Sequence, residues 1–151
     1  MLKKRPIKKL QKRKIRPRLP ARKKILFKNI FKRSIKVNGK QFVQKISVNP
    51  TRDRFEVKLV NSTGENVGKM GVDIQVFRTS KSAIIDWPII KKTQREKGLY
   101  YYMLKNTIEL LKKEGVNFIN AKSVLAGHKT LIRLGFDFRS RFGEIEFWKN
   151  I

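Results

Sequence analysis

Residues 91–104 read KKTQREKGLYYYML, and they bring a basic loop through a single glycine into an amphipathic stretch. That arrangement suits an anion. The first N–H groups of a helix have no partner inside it, the helix dipole favours negative charge there, and Arg95 and Lys97 add cations. Gly98 lets backbone come close to a phosphate and tolerates positive φ, and Leu99 and Tyr100 open the helix itself. Other chemistry is sparse. Asp86 is the one candidate for a general base. His128 is the only histidine and cysteine is absent, so neither a metal site nor a thiolate nucleophile is expected. Tyr100, Tyr101 and Tyr102 could stack on bases, although such a run at a helix start more commonly packs inward.

Hydrophobic period predicts the elements that position these residues. From about Gly39 it is two: strands are expected over 42–48, 54–60 and 67–77, with a hairpin loop at NSTGEN and bulge sites at Gly68 and Gly71. AIIDWPII (83–90) reads as a buried strand whose Pro88 marks an edge or a bulge. At Gly98 the period switches to 3.6, with Leu99, Met103, Leu104, Ile108 and Leu111 on one stripe and Gly115 closing the helix. A strand (116–123), a second helix (124–135) and a final hairpin follow. The expected class is α+β, a mixed and mostly antiparallel sheet with two main helices, in a chain long enough for one domain.

Charge divides the chain unevenly. Its 38 Lys+Arg against 11 Asp+Glu give a net +27, and residues 1–52 hold 20 of the cations and no acid. Residues 1–38 are expected to form an extended basic arm, broken by Pro6, Pro17 and Pro20, with a short amphipathic helix over 25–36, and residues 39–151 the domain. Such an arm cannot fold alone and suits a polyanion, nucleic acid ahead of an anionic membrane. The contacts are assigned to Lys3, Lys4, Arg5, Lys8, Lys9, Lys12, Arg13, Lys14, Arg16, Arg18, Arg22, Lys23 and Lys24, and interleaved Leu and Ile side chains would dock on neighbouring protein subunits. No apolar run approaches the roughly 18 residues that span a bilayer, and no signal-peptide core follows the basic start. A transit peptide is opposed by the Lys-heavy, Pro-punctuated arm, and an intracellular, reducing location is expected.

From about residue 42 onward the chain resembles the general N-acetyltransferase (GNAT) superfamily. Three stretches carry the resemblance: AIIDWPIIKKTQREKGLYYYML over the fourth strand, acetyl-CoA loop and third helix; NFINAKS over the fifth strand; and KTLIRLGFDF over the last helix and its "LGF" end. The resemblance implies that Arg95, Lys97, Gly98, Leu99 and Tyr100 surround the pyrophosphate of acetyl-CoA, while Ile89 and Ile90 present backbone to its pantetheine arm. Three departures oppose this. Tyr100 stands where the signature has a second small residue and would intrude on the pyrophosphate; Leu131 stands where the family often has an acidic tyrosine; and the helices that form the acceptor side have no counterpart.

The residues therefore point first to a non-catalytic GNAT-fold structural or adaptor protein of a nucleic-acid-containing particle, a virion or ribosome-like assembly, located in the virion or host cytoplasm and without a cofactor. The alternative is an acetyl-CoA-dependent N-acetyltransferase acting on an amine or lysine.

Overall fold

The computed structural model describes residues 32–48, 54–95, 98–123 and 127–151. It opens with strands β1 (Lys32–Val37) and β2 (Lys40–Val48), joined by Asn38-Gly39 with φ of 49° and 76°. Positive φ at both central residues makes the tight turn whose twist matches the flanking strands. β3 (Arg54–Asn61), β4 (Asn66–Phe77) and β5 (Ser80–Ile85) continue as a meander. A two-residue strand, β6 (Ile89–Ile90), precedes helix α1 (Leu99–Lys113). Then come β7 (Phe118–Ala121), helix α2 (His128–Arg133), β8 (Asp137–Arg141) and β9 (Glu144–Asn150). The strands form one sheet in the order β1-β2-β3-β4-β5-β7-β9-β8, with β6 beside β4. Only the β5–β7 pair is parallel, as expected where α1 carries the chain from one to the other.

Both helices cover one face. Phe55, Val57 and Leu59 on β3, Met70 and Val72 on β4, Ala83 and Ile85 on β5, Ile119 on β7 and Phe147 on β9 join the α1 stripe and Leu131 of α2 in one core. Each large side chain buried there contributes about 1.5–3 kcal/mol. Among the described residues the core holds one polar cluster. Gln44 Nε2 donates to Met103 O (3.2 Å) and Thr107 Oγ1 (3.0 Å), and Asn106 Nδ2 donates to Gln44 Oε1 (3.2 Å), which ties β2 to α1. The other face is polar and no described α-helix lies on it. No described helix is long and apolar enough to cross a membrane.

Two expectations are corrected. Residues 32–37 are a strand, where a helix was expected over 25–36, so the sheet begins inside the stretch assigned to the arm. Ile35 and Val37 are buried while their neighbours are exposed, a period-two pattern that lysines on the opposite face disguise. The single strand expected over 83–90 is two, β5 and β6, interrupted at Asp86-Trp87-Pro88. No α-helix precedes α1 among the described residues. The remainder of the arm, with the cations assigned from Lys3 to Lys24, lies outside them.

Candidate functional site

The interruption at 86–88 creates the site. Val72 faces Ile85 and Lys69 faces Ile89, so three steps along β4 oppose four along β5 and β6. One extra residue is a bulge, and bulges re-aim strands. Asp86 N still donates to Gly71 O (3.0 Å), and Lys91 N donates to Val67 O (2.8 Å), which keeps both sides of the bulge on β4. On the other side, β7 stays beside β5 only as far as Lys122 N, which donates to Ile85 O (2.9 Å). Beyond that point, among the described residues, β6 pairs with β4 alone, so the sheet opens between β6 and the described end of β7. Pro88, which has no N–H to give to a ladder, lies buried in the interruption between β5 and β6.

The start of α1 faces this region. Gly98 has φ 88° at the N-cap, a left-handed conformation that makes glycine the natural residue there, and no side chain caps the helix. A Cβ at Gly98 would meet only the Tyr102 ring, at 3.7 Å, so the helix start is open toward a ligand. Arg95 Nε donates to Ile90 O (3.0 Å), which folds the loop back on β6. Ile90 and Leu99 are buried in the core and Ile89 points outward. Lys97 lies outside the described residues.

Tyr100 does not reach over Gly98. Its ring stacks on Trp87, with centroids 5.4 Å apart and planes at 17°. The Trp87 ring in turn lies against the backbone of Gly127, where an added Cβ would come within 2.6 Å of it and 2.4 Å of Ser123 Oγ. Trp87 thus spans from the first turn of α1 to the start of α2, forming an aromatic wall in the gap. The intrusion expected of Tyr100 is replaced by this lateral contact because the bulge aims Trp87 at it. Neither Trp87 nor Gly127 was singled out for the site from the sequence, since their juxtaposition depends on the bulge.

Asp86 lies on the polar face. Arg54 reaches it from β3 (Nη2 to Oδ2, 2.8 Å) and also reaches Asp73, and Lys122 Nζ stands 4.0 Å away. The hydrogen bond that Arg54 donates to Asp86 chiefly holds the guanidinium above its usual range; burial opposes it and Asp73 assists. Leu131 is fully buried, and its hydrocarbon side chain has no proton to donate. His128 packs on Phe147 at 4.8 Å, and no cluster among the described residues could hold a metal.

The architecture defines a class of protein. An acetyltransferase of the GNAT family from Listeria monocytogenes superposes with a TM-score of 0.60 at 12% identity, over 79% of this chain and 100% of its own. The GNAT domain of S. lividans PAT gives 0.57 at 14% identity, over 70% and 65%. A chain of the NatC complex, bound to a Gag peptide and CoA, gives 0.55 at 13% identity, over 64% and 70%. At such identities the likeness carries the fold, and the chain has the GNAT fold. No protein-family model matches the sequence, and no curated protein matches it.

Proposed function

We propose that the chain is an acyl-CoA-dependent N-acyltransferase acting on an amine. One observation carries this reading: a one-residue bulge parts β6 from β7 beside an uncapped, glycine-opened helix start. The residues fit the group at its phosphate end. Free N–H groups in the first turn of α1 would hold the pyrophosphate, and Gly98 leaves that approach clear. Ile89 and Ile90 would offer backbone to the pantetheine arm, and Trp87 with Tyr100 would form the wall beside it. Acyl-CoA supplies an activated thioester carbonyl when bound. The acceptor amine would approach from the polar face, where Asp86 would take its proton while Arg54 and Lys122 hold the carboxylate in place. With Leu131 at the family's acid position, the departing thiolate would take its proton from solvent.

The fold of the superposed acetyltransferases supports this reading over the structural one ranked first on residues alone; nothing among them speaks for a particle-bound role. The second reading, a non-catalytic adaptor of a nucleic-acid-containing particle, is favoured by a different observation: 20 cations and no acid in residues 1–52. Calorimetric titration of the full chain with acetyl-CoA separates the two. Binding, with amine acetylation that Asp86→Asn lowers at least tenfold, supports the enzyme. No heat and no thermal shift at millimolar acetyl-CoA would sink it.

A further inference from the structure

The polar face of the sheet carries an arrangement that acyl transfer does not use. Directly opposed pairs run Lys32–Lys45, Lys45–Lys58 and Lys58–Lys69, so four lysines stand in one line across β1, β2, β3 and β4. Adjacent strands lie about 4.8 Å apart, and the line spans roughly 14 Å. Its members alternate with residues buried on the helix face: Gln44 beside Lys45, Val57 beside Lys58, Met70 beside Lys69. Lys32 and Lys69 are exposed and the two central lysines half-exposed.

Like charges directly opposed across strands are destabilising, and this sheet repeats the arrangement three times in succession. Among the described residues, compensation within the face is thin. Glu56 stands 3.5 Å from Lys58, while Asp73 and Asp86 are engaged by Arg54. Residues 1–31 cannot neutralise the line, because they hold 14 Lys+Arg and no Asp or Glu.

We propose that this lysine ladder binds the phosphate backbone of a nucleic acid. Lysine is a compact point charge that neutralises phosphate without the bidentate fork used to read bases. A row of four such charges, one on each of four adjacent strands, fits a regular polyanion better than an isolated acidic side chain. Binding would relieve the repulsion and release condensed counterions. The line ends beside the cleft, where Lys69 faces Ile89, but none of its lysines has a role in acyl-CoA binding, so the proposal stands whether or not acyl-CoA binds.

The test uses the full chain and fluorescence anisotropy with a labelled 20-nucleotide single strand and the matching duplex, between 50 and 200 mM salt. Lys45→Gln/Lys58→Gln/Lys69→Gln should make the slope of log affinity against log salt shallower by about 2 on the single strand and nearly 3 on the duplex, at 0.7–0.9 per lost phosphate contact. The same triple variant should melt at higher temperature than the parent, because the opposed pairs are gone. Arginine at the three positions should restore the slope. Lys112→Gln/Lys113→Gln, on the exposed side of α1, should leave it unchanged. Should the triple variant misfold, Lys58→Gln alone should still remove 0.7–0.9 of slope, by the same counterion count. A parental slope in the ladder variants overturns the proposal, as does an equal change in the α1 variant. Loss of binding to phosphatidylserine vesicles with nucleic-acid binding intact would assign the ladder to a membrane instead and equally overturn it.

Discussion

Two residues show how narrowly this fold is packed. Gly127 has an ordinary helical backbone, φ −86°, so conformation does not demand glycine there; the Trp87 ring does. Gly127→Ala should force Trp87 off Tyr100, cost about 1–3 kcal/mol by overpacking, and shift the tryptophan emission; an unchanged urea midpoint and spectrum would refute the contact. Gln44 is the second. Gln44→Leu would leave Asn106 and Thr107 short of a buried partner and should cost about 1–3 kcal/mol in chemical denaturation. Tyr100→Gly removes one half of the aromatic wall, and acetyl-CoA affinity measured by calorimetry should fall. Tighter binding would mean that the stack narrows the site rather than shapes it.

Strand β1, held by its ladder to β2 and by buried Ile35 and Val37, is also tied to α1 by a charge pair. Arg33 pairs with Glu109 of α1, and that hydrogen bond, assisted by the charges of Arg33, Lys105 and Lys113 and opposed by burial, holds the Glu109 carboxyl below its usual 4.5. A carboxyl depressed in the folded state adds stability that is complete above its unfolded value and is lost as pH falls through the folded one. Both partners are over a third exposed, so the contribution should not exceed about 1 kcal/mol. Comparing parent and Glu109→Gln in urea should show the parent more stable at pH 6 and the difference closing toward pH 3. Glu65, depressed by Lys91, has the same sign, which is why the variant and not the raw pH curve is the measurement.

At the scale of the whole molecule, a GNAT sheet carries both helices on one face and offers a charged face on the other. The parts then have separate electrostatic jobs. Residues 1–31 hold 14 cations, and their removal should flatten the salt dependence of nucleic-acid binding strongly, since 6–10 phosphate contacts correspond to roughly 10³–10⁵ in affinity between 50 and 200 mM salt. The cut must fall before Lys32. Deleting 1–36 would remove Ile35 from the core and most of an edge strand, so that truncation should unfold or aggregate where a chain starting at Lys32 melts cooperatively.

Local pattern was enough for most of the elements. The alternation in 54–60 and 67–77, the stripe from Leu99 to Leu111 and the "LGF" end of α2 are one-dimensional records of which side faces the core, so strands, helices and the GNAT outline were legible in them. β1 is legible in principle, through Asn38-Gly39 between Val37 and Lys40, but its lysines resemble those of the arm. Other features exist only between strands. The extra residue at 86–88 is defined against β4, the Trp87 wall needs both helix starts, and the lysine line needs the register of four strands. Sequence alone determined which side chains could meet anions; pairing register, a cooperative property of distant segments, decided which of them stand side by side.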